Sequence, residues 1–243
     1  MKEINHRLLL FLLLLISAEL NGSFRSEIYY AYINNKMELW KNVIDRMDSI
    51  KGNSDELILE LVNYQYGYIG YCIGYNKKDE AREYLDLALK NIKILEKKNF
   101  NPSTINAYKS AFYSFKIALN SIIAPVIGIK SIESARRAVE LDRENYFGNV
   151  QLGNIDFYLP SAFGGSKKAA LSHYLKAKEL IERCPEDTVM NWNYLCLLLV
   201  IGQSHYYLHD YASARDIYEK ILDLEPGFLY VRNVLLTEVL KKT

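Results

Sequence analysis

The sequence contains little proline and glycine, and its cysteines follow no recognisable pattern. Its 243 residues include 5 Pro, 12 Gly and 3 Cys, whereas about half of all residues are apolar. A chain with so few helix-breaking residues and so much apolar side chain favours an all-α protein with ample buried surface. The odd number and irregular spacing of the cysteines argue against a zinc or redox motif.

The positions of the three cysteines indicate structural roles. Cys72 and Cys196 lie inside apolar helical runs, so we predict that both are small core residues. Cys184 directly precedes Pro185 at the end of a predicted helix, where it would be exposed. A Cys184–Cys196 disulfide in an oxidising compartment is the alternative.

A concentration of charge of one sign is also missing. The chain has 30 basic and 29 acidic residues, a formal net charge of +1, and the two signs are interleaved along its length. Proteins that bind nucleic acid usually gather positive charge on one face. We therefore predict no nucleic-acid partner.

Motifs of the common catalytic and nucleotide-binding sites are not found. The sequence has no GxSxG, HExxH or GxxxxGK[ST] element. His205 and His209 lie four residues apart on a predicted helix and could share a metal, but no further ligand motif accompanies them. We predict a protein without catalytic residues, metal or cofactor, with a metal-dependent enzyme as the weakest alternative.

Residues 1–22 have the layout of a secretory signal peptide. Lys2 and Arg7 precede an apolar run over residues 8–16, which is too short to span a bilayer comfortably. Cleavage is expected after Ala18 or Gly22, and an uncleaved anchor is the alternative. The remaining chain would be secreted or periplasmic, and it contains no second apolar segment long enough for a membrane span.

Residues 23–243 are predicted to form one domain of antiparallel helical hairpins. Apolar residues recur at helical spacing in segments that are separated by turn residues. The predicted helices cover two short segments within 27–50, then 55–75, 77–98, a run from 103 that is interrupted at Pro125 and Gly128, 132–141, the stretch Asn154–Leu180 with an insert inside it, 189–208, 211–224 and 228–240.

The last hairpin carries a repeat pattern. Gly202 is followed by Ala214, Tyr218, Ile221 and Pro226 at offsets of twelve, four, three and five residues. This pattern resembles a tetratricopeptide repeat. The resemblance implies a right-handed solenoid of stacked hairpins. Because every unit here is longer than the 34-residue period of that family, the array is degenerate, and a closed helical bundle is the alternative.

The insert carries a second resemblance, over about 25 residues. Tyr158-Leu159-Pro160 followed by Phe163-Gly164-Gly165-Ser166-Lys167-Lys168-Ala169 is similar to a pattern in the helical T component of tripartite ATP-independent periplasmic transporters. That resemblance implies an exported helical accessory protein that associates with a periplasmic solute-binding protein. An accessory role in solute transport is therefore one alternative function.

The start of the helix after the insert is a candidate anion site. Ser166 can cap this helix, while Lys167 and Lys168 occupy its first turn, where the helix dipole disfavours cations unless an anion is bound. A structural loop without a ligand is the alternative reading.

Aromatic stripes on the first helices of the hairpins provide the main functional prediction. Tyrosine combines a broad apolar ring with a hydroxyl group, and 20 of the 243 residues are tyrosine. Tyr66 lies off the main stripe and is not expected to share its face. We predict a groove that binds a peptide, a protein partner or a small apolar molecule, with rings that pack between helices as the alternative. The predicted ligand-binding residues are Tyr64, Tyr68, Tyr71, Tyr108, Phe112, Tyr158 and Phe163.

Overall fold

A computed structural model describes residues 23–242, and this part of the chain contains helices and no strand. The predicted signal peptide, with its cleavage positions Ala18 and Gly22, lies outside the described residues. None of the described helices is both long and apolar enough to cross a membrane. The helices are α1 (23–33), α2 (Met37–Ser49), α3 (Asp55–Gly74), α4 (Lys78–Lys97), α5 (Pro102–Leu119), α6 (Ala124–Leu141), α7 (Tyr146–Tyr158), α8 (Lys167–Glu182), α9 (Trp192–Tyr207), α10 (Tyr211–Leu224) and a terminal helix whose π-helical turn Val231–Leu236 continues as α11 (Thr237–Leu240).

The prediction of an all-α protein is confirmed. Consecutive helices pack as pairs, α3 on α4, α5 on α6, α7 on α8 and α9 on α10, and the pairs contact one another in turn. Polar caps define where these helices begin, because the side chains of Ser54, Asn101 and Asn145 each accept a hydrogen bond from a backbone amide in the first turn. Asn35 and Asn76 adopt positive φ angles of 53° and 58° in turns between helices.

The predicted interruption at Pro125 and Gly128 was wrong. Helix α6 begins at Ala124 and runs without a break through Gly128. Pro125 lies in the first turn of the helix. Backbone nitrogens in this turn have no hydrogen-bond partner within the helix, so proline is tolerated there. A short 3₁₀ turn, Ser121–Ile123, connects this helix to α5.

The helices form an inner and an outer layer. Helices α3 and α9 are apolar around most of their circumference and bury residues on several sides, among them Leu61, Ile69 and Leu198. Helices α4 and α10 bury a single stripe that includes Ala88 and Ile221, and their other faces are charged. A helix that is apolar all round requires neighbours on more than one side, so α3 and α9 belong to the inner layer.

The first and last parts of the array touch. The Arg25 guanidinium donates a 2.6 Å hydrogen bond to the Val189 carbonyl, and the Tyr29 hydroxyl donates a 2.5 Å bond to Glu225. The rings of Tyr32 and Phe228 lie 5.5 Å apart. Helix α1 therefore closes the array against its C-terminal part, and the inner helices converge on a common centre.

Candidate functional site

Most of the predicted tyrosine stripe is buried between helices. Tyr68 and Phe112 are 0% exposed, and Tyr64 and Tyr108 are also buried. The Tyr68 ring lies 4.9 Å from Tyr84, which belongs to the other helix of the same hairpin. These rings fill the helix interfaces, and contact between them and a ligand stays a prediction.

The hydroxyl groups of these tyrosines reach carboxylates at the edge of the core. The Tyr64 hydroxyl donates to Glu60, and the Tyr68 hydroxyl donates to Glu80 over 2.8 Å. Burial, followed by the neighbouring carboxylate, raises the pKa of both phenols, so they stay neutral donors. Tyr71 is half-buried, and its ring lies 4.6 Å from the exposed ring of Tyr75.

The centre of the inner layer is occupied by Tyr66, the residue that the sequence prediction set aside. Its ring is stacked on Phe115 at 5.4 Å, and it also meets rings from α5, α7 and α9. The centroid distances to Tyr108, Phe147 and Trp192 are 6.0, 5.3 and 6.1 Å. Four inner helices therefore contribute aromatic side chains to one cluster, which we call the Tyr66 cluster.

The Tyr66 cluster is not completely shielded from solvent. Tyr66, Phe115, Tyr32 and Cys196 are only half-buried, so part of each side chain remains accessible to solvent. Desolvation nevertheless raises the pKa of Tyr66, Tyr32 and Cys196, because protein surrounds these groups on most sides. The accessible parts of these four side chains thus present neutral aromatic and thiol groups.

A chain of polar side chains lies near the Tyr66 hydroxyl. The Tyr174 hydroxyl donates a 2.8 Å hydrogen bond to the side-chain oxygen Oδ1 of Asn154. The side-chain nitrogen Nδ2 of Asn154 donates a 3.3 Å bond to Oε1 of Gln151. Gln151 is 3% exposed, and its side-chain amide nitrogen has no hydrogen-bond partner among residues 23–242. Gln151 and Asn154 both lie close enough to the Tyr66 hydroxyl to influence its pKa. Polar groups are therefore available beneath an otherwise apolar surface.

Two of the predicted binding residues lie on the insert and face solvent. Tyr158 is 72% exposed and Phe163 is 77% exposed. Desolvation, and then the nearby Cys196 and Tyr207, raises the pKa of Tyr158, although most of its side chain is exposed. The insert turns at Gly164, which has a φ of 97°, a conformation that favours glycine.

The three residues of the predicted anion site have separate environments. The Ser166 hydroxyl caps α8 by accepting from the Ala169 amide, as predicted. The Lys167 ammonium donates to the Phe157 carbonyl and lies 3.5 Å from the centre of the Phe157 ring. Desolvation lowers the pKa of Lys167, whereas Lys168 is exposed. Anion binding at this turn stays a prediction.

A polar cavity of about 300 Å³ opens at the beginnings of α7 and α9. Tyr64 is the one predicted binding residue in its wall, and Trp192 connects it with the Tyr66 cluster. Burial raises the pKa of Glu60, which also lines this cavity, although the hydrogen bond from Tyr64 acts in the opposite direction.

The histidines and cysteines form no metal site in residues 23–242. His205 Nδ1 lies 2.9 Å from an Asp210 oxygen, and His209 Nδ1 lies 2.9 Å from the Tyr211 hydroxyl. Within this part of the chain all three cysteines are free, with Cys72 buried as predicted, Cys196 half-buried and Cys184 exposed.

Comparison with known proteins identifies a fold relative. The chain is similar in structure to the HusA haemophore from Porphyromonas gingivalis, with a TM-score of 0.59 over 76% of this chain and 93% of that chain. The two sequences are 16% identical, so the similarity concerns the all-helical fold. No family model and no curated protein sequence matches the chain.

Proposed function

We propose that the protein is a non-catalytic carrier that binds a flat, largely apolar ring system, such as a tetrapyrrole, in a cleft that would open beside the half-buried side chains of the Tyr66 cluster. The observation that carries this proposal is the half-buried Tyr66 ring, surrounded by Tyr108, Phe115, Phe147 and Trp192 from three neighbouring helices. Aromatic faces that are partly open offer stacking contacts to a planar ligand at little cost in conformational entropy.

The chemistry of the cleft supports a neutral, apolar ligand surface. Tyr66, Tyr32 and Cys196 stay protonated at neutral pH because desolvation raises the pKa of each group. Binding would then rest on ring stacking and burial of apolar area, with hydrogen bonds from the polar groups behind Tyr66. The name of the structural relative, a haemophore, agrees with a ligand of this class.

The location of the protein and the form of its scaffold belong to the same proposal. The leader over residues 1–22 would direct the chain to the periplasm or the cell exterior. The paired helices would be a degenerate tetratricopeptide-like array that has closed around its aromatic centre. Tyr158 and Phe163, exposed on the insert, would then contact the part of the ligand that projects from the cleft. An accessory role in a solute transporter has no comparable structural support.

Porphyrin titration of matched variants tests the proposal. Haemin and protoporphyrin IX are titrated into the wild type and into Tyr66→Leu, and binding is followed by the change in porphyrin absorbance. Leucine keeps apolar bulk at position 66 but removes the aromatic face, so we expect at least tenfold weaker binding. Tyr75→Leu is the control, since this ring lies at the C-cap of the same helix and is 63% exposed outside the cluster.

Stability measurements separate lost binding from lost folding. Circular dichroism and thermal unfolding are recorded for each variant before titration. The proposal is wrong if a folded Tyr66→Leu protein binds both porphyrins as the wild type does, or if the wild type binds neither. If Tyr66→Leu and Tyr75→Leu weakened porphyrin binding equally, the ligand would bind elsewhere along α3 and not at the Tyr66 cluster.

A further inference from the structure

The end of the α5–α6 hairpin is apolar and uncovered. In residues 113–130, which we call the hairpin tip, no side chain is buried. Ile122, Val126 and Ile129 are 86%, 64% and 59% exposed; Val126 and Ile129 lie three residues apart on one face of α6, and Ile122 lies in the 3₁₀ turn just before that helix. Aliphatic side chains of this size are usually buried, so their grouping on one surface indicates a contact with another apolar phase. The tip contains seven aliphatic residues, Ile117, Leu119, Ile122, Ile123, Val126, Ile127 and Ile129.

The charge around the hairpin tip is of one sign. The 36 residues between Glu96 and Glu133 include five lysines and neither Asp nor Glu, although charges are interleaved in most of the chain. Lys98 and Lys109 are paired with acidic residues of α3 and α4. Within residues 23–242, Lys116 and Lys130 of the tip have no acidic partner within 4.0 Å. Two unpaired ammonium groups therefore flank the exposed aliphatic face.

We propose that the hairpin tip docks on the surface of a lipid bilayer that contains anionic lipids. Aliphatic side chains at the acyl boundary and lysines at the headgroup level are the combination that interfacial membrane contacts use. The tip supplies both the aliphatic side chains and the lysines within one helical hairpin. At its turn, the Ile122 backbone amide donates a hydrogen bond to the side-chain oxygen of Asn120. The first contact would be electrostatic, and burial of the aliphatic face would follow.

A lipid surface fits the tip better than a protein partner. The cores of protein interfaces are enriched in aromatic, methionine and arginine side chains. The large apolar side chains that are exposed at the tip, Ile122, Val126 and Ile129, are all aliphatic, whereas its two aromatic residues, Tyr113 and Phe115, are half-buried. Contact of this kind is independent of the ligand in the cleft, and it would bring an exported carrier to the membrane where its ligand is taken up or released.

Vesicle binding by the full chain tests this proposal. Sedimentation is measured with vesicles of phosphatidylcholine alone and of phosphatidylcholine with phosphatidylglycerol at a ratio of about 7:3. The tip variant carries Ile122→Ser, Val126→Ser and Ile129→Ser. The control variant carries Ile94→Ser, Leu175→Ser and Leu224→Ser, which are 42%, 44% and 47% exposed on other helices. Because every changed side chain is exposed, both variants are expected to keep the fold.

We expect the tip variant to partition at least tenfold more weakly onto the anionic vesicles and the control variant to partition like the wild type. Exchange of the two lysines, Lys116→Glu with Lys130→Glu, is expected to remove the preference for anionic vesicles. All variants keep the same leader, so membrane attachment through residues 1–22 contributes equally to each.

If the leader binds every variant to the vesicles, sedimentation cannot distinguish them, and tryptophan fluorescence at the tip is measured instead. In Ile122→Trp, lipids brominated near the headgroup should quench the added fluorescence, whereas Leu224→Trp should not be quenched. The proposal fails if the tip and control variants sediment alike and Ile122→Trp is not quenched. It also fails if the tip variant changes only the oligomeric state in solution, which would identify the tip as a protein interface.

Discussion

Gly153 of α7 lies directly against the ring of Tyr174 in α8. A methyl group at Gly153 would lie 2.5 Å from Tyr174 Cε1, and the Tyr174 ring is 0% exposed, so it has no room to move aside. The same relationship recurs in the next hairpin between Gly202 and Tyr218. In both hairpins a glycine on the first helix allows the ring of the second helix to pack on its backbone.

Substitution of Gly153 should therefore destabilise the protein despite the higher helix propensity of alanine. We expect Gly153→Ala to lower the free energy of unfolding by about 1–3 kcal/mol, because the inserted methyl group overpacks the hairpin. Gly70→Ala is the matched control, since the nearest atom, in Phe115, would lie 3.7 Å from its methyl group. It should gain up to about 1 kcal/mol from helix propensity. Urea unfolding of both variants checks this pair, and a neutral Gly153→Ala would contradict it.

Glu182 should make stability depend on pH in the acid range. Burial alone would raise the pKa of Glu182, but hydrogen bonds from Lys178, Tyr194 and Lys220 outweigh it and lower the pKa to about 2. These partners lie on α8, α9 and α10, at 2.7, 2.5 and 3.0 Å. The carboxylate therefore connects two hairpins.

The sign of the pH effect follows from this lowered pKa. The carboxylate contributes stability above its ordinary pKa of 4.5, and the contribution is lost as the pH falls from about 4.5 to 2. We expect Glu182→Gln to lose about 1–2 kcal/mol at pH 7, a value reduced for partial exposure, and almost nothing at pH 2. Thermal unfolding across this range measures the difference. Parallel profiles for the wild type and Glu182→Gln would show that the carboxylate is not linked to folding.

Tyr68 should act in stability and not in ligand binding. Its ring is fully buried and its hydroxyl donates a 2.8 Å bond to Glu80, so Tyr68→Phe removes only the bond. We expect a loss of about 1–3 kcal/mol in unfolding free energy, because the acceptor is a charged carboxylate, with porphyrin affinity unchanged. Tyr71→Phe is the control, as this half-buried ring should tolerate the change. Weaker porphyrin binding by a stable Tyr68→Phe variant would contradict this prediction and show that Tyr68 contributes to the binding site.

The same residues explain which parts of the site were predictable from the sequence. Helical periodicity and the capping residue Ser54 were sufficient for the architecture, because both act within one helix. The stripe through Tyr68 was visible for the same reason, but whether it faces a ligand or a neighbouring helix depends on tertiary packing. Tyr66 was set aside because it lies off that stripe. The sequence did contain a signal for its position, because α3 is apolar on several sides. A helix of this kind must pack against neighbours on a second face, which is the face that includes Tyr66.

A closed bundle was one of the two predicted arrangements, but the contacts that close the array could not have been predicted. The closure depends on contacts such as that between Tyr29 and Glu225, which are 196 residues apart, and no periodic pattern records a pairing of this kind. The central position of Trp192 follows from this closure, since its ring meets Tyr32 of α1 and Tyr66 of α3. The aromatic centre thus arises from long-range packing, whereas each helix that contributes to it arises locally.

Lys167 and Lys168 are adjacent in sequence but should differ sharply in their effect on stability. The Lys167 ammonium donates to the Phe157 carbonyl near the C-terminal end of α7 and lies over the Phe157 ring, and Tyr207 is 5.4 Å away. A cation at a helix C-terminus and over an aromatic face is favourable on both counts. Truncation of Lys167 removes the bond that holds the insert against α7, so we expect Lys167→Ala to lose about 1–2 kcal/mol.

Lys168→Ala is the matched control for this prediction, because Lys168 is exposed and makes no contact of this kind with any other residue in 23–242. Its unfolding free energy should stay within about 0.5 kcal/mol of the wild type. Titration with sulfate, followed by thermal unfolding, tests the anion site at the same turn. Stabilisation by sulfate that Lys168→Ala abolishes would support anion binding through the exposed lysine. Equal stability of Lys167→Ala and Lys168→Ala would show instead that the contact with Phe157 does not hold the insert in place.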